Sequence, residues 1–192
     1  SIQLLPIHRQ LELIRGAQFS IPQVVQSSLR ELIQHYGVID YTTRYEGPIY
    51  RARVSEGPMP FKNIEELGAI PSKKVNRRGR CNDIGESIFY GCYRHDPALS
   101  EIEAKIGQRV HISEYKINSP FRIIVLGDMY SFNRCGNATF PTIDPVMLHK
   151  MTAHLTDEQK VMAYHLDAQL ARILGDPNAR SSNYLTTLTL SR

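Results

Sequence analysis

The hydrophobic pattern of the chain changes from helical spacing to strand-like alternation and back, and this change constrains the fold more than any other feature. Residues 20–37 carry apolar side chains at the spacing of one helix face. The segments 49–54 and 108–117 alternate as half-buried strands do, whereas 87–93 and 121–128 are apolar enough for buried strands. We therefore expect strands in the middle of the chain, with helices before and after them.

Capping signals place the remaining helices. Asp96, which precedes a proline, is predicted to open a helix that ends at Gly107. Asp144 opens another helix, and a capping box at Thr156 opens a third one that ends at Gly175. This order of elements predicts an α+β fold with a mixed sheet. A doubly wound dinucleotide fold is not predicted, because the chain has neither a G-x-G-x-x-G turn after a strand nor a P-loop.

Length, cysteine content and charge limit the function classes. The 192 residues are enough for one domain with a small extension, and we expect a helical extension at 1–44 and a main domain at 45–192. No apolar run is near the roughly 18 residues that cross a membrane. Three cysteines without C-x-x-C spacing fit a reducing cytoplasm and predict no metal site. A net charge of +4 suits an anionic small molecule and is too weak to predict nucleic acid binding.

One basic, glycine-containing segment carries residue types that bind phosphate groups. Arg80 and Asn82 lie in the turn 79–85, whose glycines let the backbone approach a ligand closely. Arginine suits a pyrophosphate, since its planar guanidinium donates two hydrogen bonds and neutralises charge. Tyr90, on the next predicted strand, offers a ring for stacking. Glu101, on the helix that follows, offers a carboxylate. A carboxylate beside an N-glycosidic bond can stabilise the positive charge that develops on the sugar as the bond breaks.

These segments, taken in order, resemble the RES-domain family, which is named for an arginine, a glutamate and a serine. The matches are, along the chain, a Y-R-x-R strand at 50–53, a G-R-x-N-x-x-G turn at 79–85, a strand-ending Tyr90 and an A-x-x-E segment at 98–101. Each motif is short, but their order and spacing together are fairly specific. The resemblance covers roughly residues 45–192.

The resemblance implies an ADP-ribosyltransferase-like fold, with a mixed or split sheet core and flanking helices, and NAD as the substrate. Members of the family are toxins that degrade NAD by phosphorolysis or hydrolysis, or that ADP-ribosylate a protein, and a co-encoded antitoxin protein neutralises them. The residues it implies for NAD binding are Arg51, Arg53, Arg80, Asn82 and Tyr90. The residues it implies for catalysis are Arg51, Arg80, Tyr90 and Glu101. We therefore expect cleavage of the nicotinamide–ribose bond, with inorganic phosphate as a co-substrate of phosphorolysis.

The family's serine follows a Y-x-x-T-like segment, which residues 184–187 resemble, and belongs to a closing segment that this sequence does not reach. We assign it to none of Ser181, Ser182 and Ser191, and we expect the RES-like domain to be incomplete at its C-terminal end. Two other functions stay open. One is ADP-ribosyl transfer to a protein, which needs the same NAD contacts. The other is an inactive or anion-binding module that binds nucleic acid through residues 73–80, although that stretch has no aromatic side chain for base stacking.

Overall fold

A computed structural model describes residues 5–17, 22–34, 39–55, 57, 61, 63–138, 140–182 and 184–190. Over these residues the fold is α+β, as the sequence predicts. The helices are α1 (Leu5–Ala17), α2 (Pro22–Gln34), α3 (His95–Glu101), α4 (Asp128–Cys135), α5 (Pro145–Thr152), α6 (Asp157–Leu174) and α7 (Leu185–Leu190). The strands are β1 (Ile39–Thr43), β2 (Ile49–Val54), β3 (Val110–Tyr115) and β4 (Phe121–Val125).

The chain divides into two compact units. The first comprises residues 1–43, 78–81 and 122–192, and the second comprises residues 44–77 and 82–121. The N-terminal helices α1 and α2 therefore belong to the same unit as α4 to α7. The described strands pair as two two-stranded sheets, β1 with β4 and β2 with β3. Within the described ranges, no helix has the length and apolar character needed to cross a bilayer.

The core of the first unit is built from apolar residues at helical spacing. Helix α2 packs against α1 and α7, and α6 packs against α4 and α7. The buried side chains that these helices share are Ile7, Leu11, Ile14, Val25, Leu29, Leu32, Leu166, Leu170 and Leu188. Their three- and four-residue spacing within each helix puts them on one face, so each helix buries an apolar stripe and leaves most of its charged residues in water.

Most of the capping predictions in this unit are confirmed. Asp144 accepts a hydrogen bond from the Met147 amide at 2.6 Å and starts α5. Thr156 and Gln159 form the predicted reciprocal capping box, and α6 ends at Gly175. The helix predicted over 20–37 spans Pro22–Gln34, and its proposed caps at positions 20 and 37 lie outside the described residues.

The sequence prediction missed α4, because it assigned the residues after 128 to a loop. Helix α4 lacks a capping side chain at its own N-cap, Gly127, so it carries no local start signal. A carboxylate from α6 supplies the cap instead: Asp167 accepts hydrogen bonds from the amides of Gly127 and Tyr130. Such a long-range cap cannot be read from residues next to the helix.

The second unit is organised around the antiparallel ribbon of β2 and β3. Both strands were predicted, and they pair so that Arg51 lies opposite Ser113 and Ala52 lies opposite Ile112. Helix α3 packs against β2. Ala52 and Ala98 are both buried, and the rings of Tyr50 and His95 lie 3.9 Å apart, so α3 covers the ribbon face that carries Tyr50 and Ala52.

The predicted strand at 87–93 is wrong, since only one residue of this segment pairs with β2. Cys92 and Tyr50 exchange two backbone hydrogen bonds, and the rest of the segment belongs to no ladder. Gly91 lies tightly against its neighbours: a Cβ on it would stand 2.5 Å from the Ile49 side chain and 2.7 Å from the Phe89 ring. An apolar run is therefore held by side-chain packing here, which hydrophobicity alone does not distinguish from a strand.

The helix predicted to run from an N-cap at Asp96 to Gly107 is shorter than expected and starts two residues earlier, with Arg94 at its N-cap. It begins at His95 and ends at Glu101. The chain then turns sharply, because Glu103 has a positive φ of 49° and its amide donates to the Ser100 carbonyl. Glu101 is consequently the last residue of α3 and does not lie in an early turn of a longer helix.

Candidate functional site

The strongest concentration of polar chemistry in the second unit lies on the ribbon face opposite α3. Strand alternation puts Arg51 and Arg53 on that face, since Tyr50 and Ala52 point to the other. Pairing adds Ser113 opposite Arg51 and His111 opposite Arg53. Tyr115 follows Ser113 by two residues and so lies on the same face.

Arg51 is held in place by the segment that carries Tyr90. Its Nη1 atom donates a hydrogen bond to the Tyr90 carbonyl at 3.2 Å. Its guanidinium carbon lies 5.2 Å from the centre of the Phe89 ring, within the range of a cation–π contact. Burial, followed by the nearby charge of Arg53, lowers the pKa of Arg51. The guanidinium is therefore a partly desolvated cation, which is the state in which it attracts an anion most strongly.

Three buried polar atoms on this face have no hydrogen-bond partner within the described part of the chain. They are Nε of Arg51, Oγ of Ser113 and the Tyr115 hydroxyl oxygen. An unpaired buried polar group costs about 1–3 kcal/mol, so native structures seldom keep several together without a ligand or water. All three can donate a hydrogen bond, and the oxygen atoms of a phosphate or carboxylate accept such bonds.

The turn that contains Asn82 is tied to the same segment. The Tyr90 hydroxyl donates to Oδ1 of Asn82 at 2.9 Å, and Asn82 Nδ2 donates to the Asp83 carbonyl at 3.1 Å. Gly85 has a φ of +81°, which glycine adopts without strain, and its amide donates to the Val75 carbonyl. Tyr90 thus connects Arg51, through its carbonyl, with Asn82, through its hydroxyl.

Aromatic rings stand at both ends of this face. Phe89 meets Tyr115 edge to face with ring centres 4.8 Å apart, and Phe61 meets His111 in the same way at 5.9 Å. Arg53 donates a hydrogen bond from Nη1 to the Glu66 carbonyl. The result is a polar centre at the Arg51–Ser113 pair between aromatic groups, which suits a ligand with charged and flat parts.

Glu101 is not brought to this face. Helix α3 ends at Glu101 and packs on the opposite face of the ribbon. The Glu101 side chain is exposed to solvent. Its carboxylate acts on Cys92: burial raises the pKa of that thiol, and the charge of Glu101 raises it further.

Arg80 belongs to the first unit, where it binds the end of α6. Its Nη1 atom donates to the carbonyls of Leu174 at 2.7 Å and of Asp176 at 2.8 Å. These carbonyls lie at the C-terminal end of the helix, where backbone acceptors lack intrahelical partners and a cation is favoured. This contact gives Arg80 a structural function, whatever its contribution to ligand binding.

Ser113 and Tyr115 are site residues that sequence reasoning missed. Their strand was predicted, and alternation would have grouped them with each other. Their position beside Arg51 depends on the β2–β3 register, which no turn between the strands specifies, because more than fifty residues separate them.

No group of three or more metal-binding side chains occurs among the residues that the structure describes. A comparison of the chain with protein-family models, curated proteins and solved structures gave no match.

Proposed function

We propose that this chain cleaves the nicotinamide–ribose bond of NAD, by phosphorolysis or hydrolysis, as a cytoplasmic toxin of the RES type that a co-encoded antitoxin protein controls. The observation that carries the proposal is that three buried donor atoms without a partner, Nε of Arg51 and the hydroxyls of Ser113 and Tyr115, lie on one ribbon face, where Arg51 also contacts Tyr90. Three of the residues that the family resemblance singles out, Arg51, Asn82 and Tyr90, are connected by hydrogen bonds, which is what a common site requires.

In this proposal, the ribbon face binds the phosphate groups of NAD. Arg51 supplies the charge, and the hydroxyls of Ser113 and Tyr115 donate hydrogen bonds to phosphate oxygens. The Phe89 and Tyr90 rings border the flat nicotinamide. An oxygen of inorganic phosphate, or of water, bonds to the ribose carbon as the carbon–nitrogen bond breaks, and in hydrolysis the attacking water releases one proton to the solvent. The electron pair of that bond goes to the pyridinium nitrogen, so nicotinamide leaves as a neutral molecule.

Arg80 and Glu101 enter the proposal by the resemblance alone. Arg80 is proposed to bind phosphate, and Glu101 is proposed to stabilise positive charge at the ribose. Because Arg80 also caps α6 and Glu101 belongs to the helix on the other face of the ribbon, each requires its own substitution test.

Nicotinamide release from NAD, measured with and without inorganic phosphate, tests the proposal. The parent chain should release nicotinamide, and Arg51→Lys should lower kcat/KM by about tenfold or more, since lysine keeps the charge but loses the planar guanidinium donors. Arg94→Lys is the matched control, because Arg94 is exposed and pairs with Asp96 at 3.2 Å. Folded protein that releases no nicotinamide under either condition would rule the proposal out.

The same reaction separates degradation from ADP-ribosyl transfer. NAD labelled in its adenosine part is incubated with the protein and a cell lysate. Label that stays in small molecules supports degradation, whereas label that becomes attached to protein supports the transferase alternative. Binding to RNA that persists at physiological salt, without nicotinamide release, would favour the nucleic-acid-binding module.

A further inference from the structure

The first unit contains a cavity of about 490 Å³ that is separate from the ribbon face. This volume lies in the range of small-molecule sites. Helices α1, α6 and α7 and the segment after α6 form its walls, and the His8 and His165 rings, 5.4 Å apart, also link α1 to α6. The residues that the argument uses are Leu11, Ile14, Arg15, Arg172, Asp176 and Thr186.

The wall on the α1 side is apolar. Leu11 and Ile14 are one turn apart and almost fully buried, and both line the cavity. Ile173 and Pro177 extend the apolar surface from the side of α6. Leu11 and Ile14 form the nearly closed floor, so a hydrocarbon part of a ligand would mainly remove the Ile173 and Pro177 surface from water, at roughly 25 cal/mol per Å² of apolar area.

The charged side chains at the cavity have an excess of positive charge. Arg15 and Arg172 each contribute one positive charge, and Asp176 contributes one negative charge. The Asp176 carboxylate accepts a hydrogen bond from the Asn178 amide at 2.9 Å, so part of its hydrogen-bonding capacity is used within its own turn. The described lining residues therefore carry a net positive charge, and Arg80, which donates to the Asp176 carbonyl, adds to it, so the cavity attracts an anionic ligand.

A buried hydroxyl is the second observation that points to a ligand in this cavity. Thr186 lines the cavity, and its Oγ1 atom is buried without a hydrogen-bond partner among the residues that the structure describes. The neighbouring Thr187 hydroxyl, by contrast, donates to the Tyr184 carbonyl at 3.2 Å. Because Thr186 lines the cavity, a rotation about its Cα–Cβ bond can bring this unsatisfied hydroxyl to an acidic oxygen of a ligand.

We propose that this cavity binds an amphipathic organic monoanion, of which a medium-chain carboxylate is the simplest example. The hydrocarbon chain packs against Leu11 and Ile14. The carboxylate is attracted by Arg15 and Arg172, and the Thr186 hydroxyl donates a hydrogen bond to the ligand. This site uses none of the ribbon-face residues, because the residues that line it belong to the first unit, whereas Arg51, Ser113 and Tyr115 belong to the second.

Calorimetric titration with decanoate, below its micelle concentration, tests the proposal. We expect one decanoate to bind per chain, and Arg172→Gln to weaken binding by about tenfold, the loss expected for one charge-assisted contact. Thr186→Val, which keeps the side-chain shape and removes the hydroxyl, should weaken binding by a smaller factor of about three to ten. Arg9→Gln is the matched control, because Arg9 is an exposed arginine of α1 that does not line the cavity.

Decanol, which has the same chain without the charge, completes the design. Decanol should bind the parent chain more weakly than decanoate does. Its affinity for Arg172→Gln should equal its affinity for the parent chain, because decanol carries no charge. The proposal is overturned if decanoate does not bind the folded parent chain. It is also overturned if Arg9→Gln weakens binding as much as Arg172→Gln, since the attraction would then be general surface charge. Circular dichroism of each variant confirms that the exposed substitutions leave the fold intact.

Discussion

The hydroxyl of Tyr90 donates a hydrogen bond to Oδ1 of Asn82 at 2.9 Å, although eight residues separate the two along the chain. Asn82 is only 8 % exposed, so water cannot readily replace this bond. The Tyr90 carbonyl meanwhile accepts from Arg51. One tyrosine therefore fixes both the turn and the arginine that the proposed phosphate site needs.

Removing the Tyr90 hydroxyl should destabilise the chain measurably. In Tyr90→Phe the buried oxygen of Asn82 loses its donor, which we expect to lower the free energy of unfolding by about 1–2 kcal/mol. Urea denaturation measures this loss. A double-mutant cycle with Asn82→Ala should give a coupling of about 0.5–1.5 kcal/mol, and a coupling of zero would contradict the assigned bond. Tyr130→Phe is the control, since Tyr130 is exposed and its hydroxyl accepts a hydrogen bond from the exposed Arg134.

Arg80→Ala should destabilise the first unit through the end of α6. Two carbonyls, those of Leu174 and Asp176, lose a charged donor, and the expected cost is about 1–3 kcal/mol. Thermal unfolding measures it, with the exposed Lys73→Ala as a control that changes little. If Arg80 also binds a phosphate of NAD, KM rises strongly in the folded variant while kcat changes less. An unchanged melting temperature would show that the capping contact is not stabilising.

The sequence predicted those elements whose signals are local. The caps at Asp144 and Thr156 and the alternation over 49–54 and 108–117 each lie within the element that they predict, and each is confirmed. Helix α4 was missed because its cap comes from α6, forty residues away. The predicted strand at 87–93 failed because apolar character reports burial and does not by itself report pairing.

The residues of the candidate site likewise include some that sequence motifs predict and others that depend on long-range structure. The sequence motifs pointed to Arg51, Asn82 and Tyr90, which the structure brings together through Tyr90. Ser113 and Tyr115 join them only through strand register, which depends on long-range packing. Glu101 was expected beside Arg51, but the order of residues along a chain does not say which face of a ribbon the next helix covers.

Glu101→Gln separates a catalytic role from a structural one. Glu101 is exposed at the end of α3, so this substitution should leave the free energy of unfolding within about 0.5 kcal/mol of the parent. If the carboxylate stabilises positive charge at the ribose, kcat for NAD cleavage falls while KM stays nearly unchanged. Near-normal turnover would remove Glu101 from the mechanism. Glu103→Gln, two residues further along and also exposed, is the matched control.

Asp167→Asn should be among the most damaging single-atom changes in the first unit. Asp167 is 0 % exposed, and its two carboxylate oxygens accept from the amides of Gly127 and Tyr130 at 2.8 and 3.0 Å. An asparagine turns one acceptor into a donor that faces a backbone amide, at a cost of about 2–3 kcal/mol. Urea denaturation should show this loss, whereas Asp157→Asn, on the exposed first turn of the same helix, should cost less than about 1 kcal/mol. Equal effects of the two substitutions would contradict the long-range cap.

His165 should make the stability of the first unit depend on pH. Burial, and then the nearby His8, lower the pKa of His165 below its usual 6.5, and its Nε2 atom is buried without a partner in the described structure. The unfolded chain therefore takes up a proton at a higher pH than the folded chain does. Stability conferred by the neutral ring is fully present above about pH 6.5 and is lost as the pH falls from there toward the folded pKa.

The measurement is the free energy of unfolding, by urea, at several values between about pH 7.5 and pH 5.5. Over this range the free energy of unfolding of His165→Gln should change less steeply with pH than that of the parent chain, because glutamine does not titrate. The difference between the two slopes should correspond to less than about one proton. His8→Gln should reduce the slope by a smaller amount, since it removes only the second cause of the shift. His149→Gln, at an exposed histidine of α5, is the matched control for replacing a histidine by glutamine. If His165→Gln and the parent chain lose stability in parallel as the pH falls, the buried imidazole is not the group that titrates.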